Sequence, residues 1–357
     1  MSKDSKILQW LKERYDVSFI EHYATEKKVP NFKGSFWYYF GGVSLFLFII
    51  QVLTGILLVM YYQPGADTAY ESVRLIVTKV QFGWLIRSIH SWSANLMIFS
   101  VLIHMFSVYF TKAFRKPREL TWYTGFLLLA LALTFGFSGY LLPWNTLSYF
   151  ATKVGTEIVG VIPIIGRPIM ELLRNGTDVT TTTLTRFYGL HVALLPALFT
   201  LILAAHLFFI QIQGISEPES WKDKSESEKK YIPFFPNFVL RDLLLWLIVL
   251  NVLAILAVYF PWELGHKADP FAPAPSGIKP EWYFLFVFQS LKFFPAKVVG
   301  IDGEVLGIGL FGLAGLLWFL VPFWDSRTPA GHRNKMLNYI GILVVSYIIV
   351  LTAIGAR

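Results

Sequence analysis

The chain has 357 residues, of which 55% are hydrophobic, 17% aromatic and only 15% charged, with a mean hydropathy of +0.54. This excludes a single soluble domain and describes a polytopic membrane protein. A net charge of +8 does not point to nucleic acid, because the basic residues lie mostly in loops between apolar runs, where topology and anionic lipid account for them. Cysteine is absent, which excludes disulfides, thiolate metal sites and thioether-linked cofactors.

The opening segment, MSKDSKILQWLKERYDV, is charged and amphipathic without an apolar core. It reads as a surface-lying helix and not as a cleavable signal. Uncharged windows then predict an all-α fold with seven membrane spans. The first window runs from Gly34 to Ala66, with its helix near Phe36 to Tyr61 and glycines at Gly41 and Gly55. The second follows Arg87, from Ser88 to Thr111, and carries His90 and His104. Fourteen residues at 100° each make nearly four turns, so both imidazoles share a face, separated along the axis by roughly 21 Å. That is most of the hydrocarbon thickness. The third span, Leu120 to about Trp144, repeats the glycine spacing at Gly125 and Gly139.

Asn145 to Leu184 spaces Lys153, Glu157, Arg167, Glu171, Arg174 and Asp178 among apolar residues, a pattern for short interfacial helices. The fourth span, within Phe187 to Ser216, holds His191 and His206. A polar linker, Gln213 to Pro236, contains SEPESWKDKSESEKK. Three further spans follow, Leu243 to Phe260, Val305 to Trp324 and Met336 to Ala356, the last two joined by DSRTPAGHRNK. The resulting division is a four-helix part (1–212), a linker (213–239) and a three-helix part (240–357).

A single histidine inside a membrane helix is ordinarily a helix-to-helix hydrogen bond. Two matched pairs at nearly equal spacing are what two haems require, His90 and His191 on one iron, His104 and His206 on the other, in the core of a bundle. With both axial positions filled, no site remains for oxygen, and electron transfer across the membrane is the natural use. The glycines allow ordinary small-residue packing. Their recurrence at the histidine period favours close approach of a flat macrocycle. Most of the 31 Lys and Arg residues fall on the side holding the N-terminus, with TKAFRKPREL the clearest loop; by the positive-inside rule that side is cytoplasmic. His90 and His191 then lie toward the outer side and His104 and His206 toward the inner.

On the outer side, Pro280 and Glu281 open a short apolar helix. Both are ordinary helix-start residues. Yet everything from Trp282 to Leu291 is apolar, aromatic or uncharged, so the carboxylate enters a greasy pocket. A carboxyl placed so has its pKa raised toward the range useful for accepting a proton from a hydroquinone.

GWLIRSIH (Gly83 to His90), KPRELTW (Lys116 to Trp122), YLLPW (Tyr140 to Trp144), TLTRFYGLH (Thr183 to His191) and PEWY (Pro280 to Tyr283), together with the histidine pattern, resemble the cytochrome b/b6 family over nearly the whole chain. Seven spans, the fifteen-residue histidine gap and KPRELTW resemble the plastid-type branch, there split into a four-helix cytochrome and a three-helix subunit IV and here fused. The resemblance implies a quinol:acceptor oxidoreductase running a Q cycle with two non-covalent b-type haems. Quinol is then oxidised outside beside Pro280, Glu281, Trp282 and Tyr283, with Glu281 and Tyr283 catalytic, and quinone is reduced inside near His206. It also implies a Rieske iron-sulfur protein and a c-type cytochrome as partners in a homodimeric complex of the bacterial cytoplasmic membrane. Arg87 and Arg186 become propionate partners of the outer haem, and Arg118 of the inner; snorkelling or loop ion pairs are their alternatives.

Two departures bear on the inner side. The plastid branch carries an extra haem on a cysteine just before the first-span glycines, where this chain has Tyr39, which excludes a cysteine-attached haem. The basic residue expected five positions after the last histidine is Gln211, leaving Gln211 and His22, with Glu21, as inner-site candidates. Two other classes stay open: a di-haem anchor passing electrons from a dehydrogenase or hydrogenase to quinone, and a transporter with structural histidines.

Overall fold

The computed structural model describes residues 6–15, 26–325 and 330–357. Its helices are α1 (Lys6–Lys12), α2 (Tyr39–Val59), α3 (Ala69–Thr78), α4 (Gly83–Phe110), α5 (Glu119–Tyr140), α6 (Thr146–Gly160), α7 (Gly166–Arg174), α8 (Thr181–Gln213), α9 (Val239–Tyr259), α10 (Trp282–Leu291), α11 (Gly303–Phe319), α12 (Val321–Asp325) and α13 (Ala330–Ala356). Among the described residues six helical stretches are long and apolar enough to cross a membrane, those of α2, α4, α5, α8, α9 and α13. The expected span at Val305 to Trp324 is the 17-residue α11, about 26 Å long and shorter than the hydrocarbon layer. It stops at Leu320 because Pro322 cannot donate into the ladder; the proline instead sits in the first turn of α12.

Two helices begin earlier than uncharged windows indicate, because arginine is accommodated inside them. α4 starts at Gly83, and Arg87 is buried, donating to the carbonyls of Trp262 and Glu263 at 2.5 and 3.2 Å. α8 starts at Thr181 under a reciprocal Thr180–Thr183 cap, ahead of Arg186. The sequence reading did not anticipate α3. Its buried Ala69, Ser72, Val73 and Ile76 recur every three or four residues, an amphipathic signal in the outer connection. The interfacial stretch folds as α6 and α7, α6 being capped by Asn145 and Ser148.

α2 packs on α4, and α5 on α8. The four meet in a core of Val43 and Leu47 from α2, Met97 from α4, Leu128 and Ala132 from α5, and Phe199 from α8. α9 lies against α2 and α4, and α10 against α11 and α13. Hydrogen bonds lace this second group to the first: Trp92 Nε1 to the Phe260 carbonyl (2.8 Å), Tyr109 Oη to Leu337 (2.8 Å) and Trp122 Nε1 to Phe319 (3.0 Å). The linker is held by a short antiparallel ribbon, β1 (Lys28–Pro30) with β2 (Tyr231–Pro233).

Arg115 reaches both Glu219 of the linker and Asp325 at the end of α12, whose side chain is 2% exposed. One guanidinium thus ties the α4–α5 loop, the linker and the C-terminal part together. Asp325→Ala removes an acceptor of a charge-assisted pair, which is expected to cost about 2 kcal/mol. Thermal unfolding of the detergent-solubilised protein should fall by several degrees while cofactor content at low temperature is kept; an unchanged melting curve would contradict this role.

Candidate functional site

Four histidines stand inside the four-helix bundle, His90 and His104 on α4, His191 and His206 on α8. The imidazoles of His90 and His191 face each other with centroids 6.4 Å apart. A metal held at about 2 Å by one nitrogen of each ring requires a centroid separation on the order of 6 Å. His104 and His206 are close enough to interact electrostatically. The fifteen-residue spacing on α8 has a local cause. Leu190 to Leu194, which includes His191, is a single π-helical turn; such a turn absorbs one extra residue, so fifteen residues on α8 keep step with fourteen on α4.

The surroundings of the rings fit haem ligation. Hydroxyls meet Nδ1 in three of the four: Thr54 Oγ1 with His90 (2.8 Å), Ser138 Oγ with His191 (3.1 Å) and Thr124 Oγ1 with His206 (3.0 Å). Nδ1 of His104 is buried without a partner. Occupying Nδ1 fixes ring orientation and leaves Nε2 for a metal. Each of the four periodic glycines lies over one of these rings. A Cβ at Gly41 would sit 3.1 Å from His104 Cε1, at Gly55 3.5 Å from His90, at Gly125 3.1 Å from His206 and at Gly139 2.6 Å from His191. Glycine at these places keeps open the space beside each imidazole that a macrocycle needs. Of the arginines, Arg87 sits one turn before His90. Arg186 donates to the Leu172 carbonyl and to Asn175 Oδ1, and Arg118 to the carbonyls of Gln213 (3.1 Å) and Gly214 (3.4 Å).

Packed against this bundle, Glu281 occupies the cap position of α10, but its side chain makes no capping hydrogen bond and no ion pair among the described residues. It is half-buried, and burial holds its carboxyl above the usual carboxylate range. The phenols of Tyr283 and Tyr140 lie within its electrostatic reach. The Tyr283 hydroxyl packs against Gly136, where a Cβ would overlap it; one turn on, Gly139 faces His191. Trp282 donates from Nε1 to Asn95 Oδ1 at 2.8 Å. The Pro280 to Tyr283 segment is thus seated beside the His90–His191 pair, by contacts to α4 and α5.

A family description, Cytochrome b/b6/petB, matches residues 25–214, and a second, Cytochrome b (C-terminal)/b6/petD, matches residues 267–357. The chain belongs to the cytochrome b/b6 family. It is 51% identical over 98% of its length to a cytochrome bc complex cytochrome b subunit of Chlorobaculum thiosulfatiphilum, covering 81% of that protein. It is also 46% identical to cytochrome b6 of Acaryochloris marina, over 60% of this chain and 99% of that one. A solved hyperthermophilic respiratory Complex III superposes with a TM-score of 0.80 at 29% identity, covering 98% of both chains. This cytochrome b is therefore an integral membrane subunit of a bc-type enzyme, and the dehydrogenase-anchor and transporter readings fall away. Family membership implies b-type haems, which the four histidines and their glycines fit.

The inner side differs most from the expectation. Glu21 and His22 lie outside the described residues. Gln211 accepts from Lys27 Nζ at 2.5 Å, so the cation sought after the last histidine comes from the N-terminal arm. Tyr39 stacks on Phe238 with centroids 4.7 Å apart. Asp242, not singled out from the sequence, projects its carboxylate onto Gly42, next to the glycine that faces His104, and lies within interaction distance of the Trp246 indole. A carboxylate inside a membrane helix is the signal that could have found it.

The glycine geometry orders the effects of substitution. Gly139→Ala places a methyl where His191 must move, whereas Gly55→Ala meets His90 at ordinary contact distance. Gly139→Ala should lose or displace the outer b-type absorbance and Gly55→Ala should retain it, measured as the haem-to-protein ratio and the resolved α-band. Equal haem content in both variants would contradict the assignment.

Proposed function

We propose that this cytochrome b oxidises quinol on the outer side at Pro280–Tyr283 and reduces quinone on the inner side, as the membrane core of a proton-translocating quinol:acceptor oxidoreductase. The observation that carries this is Glu281, a half-buried carboxylate that makes no capping hydrogen bond and, among the described residues, no ion pair, and that lies within electrostatic reach of two phenols. Raised above its ordinary range, it accepts a proton from a quinol hydroxyl, with Tyr283 orienting the ring. One electron leaves to a Rieske iron-sulfur protein and on to a c-type cytochrome. Two b-type haems, when bound, would supply one-electron redox chemistry across the membrane. His90 with His191, and His104 with His206, hold them. Gly41, Gly55, Gly125 and Gly139 admit the rings, and Arg87, Arg186 and Arg118 offer guanidinium groups to propionates.

On the inner side Asp242 supplies protons for quinone reduction, and the Lys27–Gln211 pair is a second polar group for the same role. Residues 1–212 then form the electron-transfer part and 240–357 complete the quinol site, joined by 213–239. α11 serves as the seventh span where the bilayer thins to meet it. The positive-inside pattern supports a cytoplasmic N-terminus in a bacterial inner membrane. A cavity of about 500 Å³ whose lining includes Lys28, Lys112, Arg115, Lys116 and Arg118 beside Glu217 and Glu219 suits anionic lipid, and the complex is read as homodimeric.

Glu281→Gln tests the outer assignment. It keeps shape and removes the base, so quinol-dependent reduction of the outer haem, with inner-site turnover blocked, should slow by about tenfold to a hundredfold. The wild-type rate rises with pH as the carboxyl deprotonates, along a limb above the ordinary carboxylate range because burial raises that pKa; the variant should lack this limb. A variant with normal haem content and an unchanged rate and pH profile would leave Glu281 as a helix-start residue only.

A further inference from the structure

Asn95 is the one amide of α4 between His90 and His104, five residues beyond His90 and so roughly 7.5 Å along the helix from it. It is not a passive polar residue. Its Oδ1 accepts from Trp282 Nε1 at 2.8 Å and its Nδ2 donates to the Ser91 carbonyl at 3.0 Å. The two partners fix the amide in one orientation, because a flipped side chain would set donor against donor at Trp282. Ser91 directly follows His90, so the anchor for Trp282 is referenced to the backbone of the outer ligand.

The same face of α4 carries Phe99, one turn on, whose ring meets Trp282 edge-on at 6.3 Å. Trp282 is the first residue of α10, and no side chain caps that helix. Its N-terminal turn is therefore held by what Trp282 and Tyr283 touch. Trp282 is held on α4, Tyr283 against Gly136 of α5, and Glu281 lies at the junction.

We propose that Asn95 is a positioning residue of the quinol site: by holding the Trp282 indole it sets Glu281 and Tyr283 relative to the His90–His191 pair. This rests on the reading of Glu281 and Tyr283 given above. An amide in hydrocarbon is well placed for such a role, since no water competes for the indole proton.

The test uses the intact membrane complex. Asn95→Leu deletes the acceptor, Trp282→Phe deletes the donor, and the double variant closes a cycle. With haem content normal, each single variant should raise the quinol KM roughly threefold to tenfold, with a smaller change in kcat, and the double variant should be no worse than the worse single one. A purely structural amide would instead lower the yield of assembled complex and leave KM of the assembled fraction unchanged; that result, or additive effects in the double variant, overturns the proposal. Glu281→Gln measured in parallel separates the two levels. Slowed turnover there with a wild-type KM in Asn95→Leu overturns only the role of Asn95. Unchanged turnover in Glu281→Gln overturns the reading of the site and the proposal with it.

Discussion

Four imidazoles in a hydrocarbon layer, in two facing pairs, constrain nearly everything else in this bundle. A polar ring there must have its hydrogen-bonding capacity met, which is why threonine and serine hydroxyls from α2 and α5 meet Nδ1 of His90, His191 and His206. The rings must also be flanked by open space, which is why the facing helices present glycine at the same level. Each pair needs both helices in register, and the π turn at Leu190 to Leu194 restores that register against an odd residue in the sequence. The apolar core of Leu47, Met97, Leu128 and Phe199 then holds the four helices together between the two levels.

The Pro280–Tyr283 segment is built against this frame. α10 is too short to span the membrane and would have little reason to hold one orientation alone. It is fixed because Trp282 and Tyr283 dock onto α4 and α5 within a turn or two of the residues that carry or flank the outer histidines. Precise seating matters for proton transfer, whose efficiency depends on the base lying within hydrogen-bond reach of the group it deprotonates. A comparable division holds near His104: Asp242 comes from α9 and Gly42, which receives it, comes from α2, so this contact too joins both parts of the chain.

The bundle was legible in the sequence wherever a period was involved. Histidines fourteen and fifteen apart, and glycines at the same interval, were enough to place four helices and two levels of histidine pairs. Charge was the misleading signal. Arg87 looked like the end of a loop, but backbone carbonyls of the α9–α10 connection satisfy it inside α4. Asp242 gives no periodicity as an isolated carboxylate; only packing shows that Gly42 makes room for it. Lys27 could not be connected with Gln211 from sequence, since 184 residues separate them. α11 looked long enough to span until the proline at 322 ended it.

The central claim is that one helix supplies one ligand to each of two haems, four turns apart. The most direct measurement is a redox-resolved reduced-minus-oxidised spectrum of the complex carrying His90→Ala, beside one carrying His104→Ala. Two b-type components of different midpoint potential are expected in the unmodified protein, with His90→Ala retaining only the inner component and His104→Ala only the outer. Loss of the same component in both variants, or retention of both components in either, would contradict the stacked arrangement.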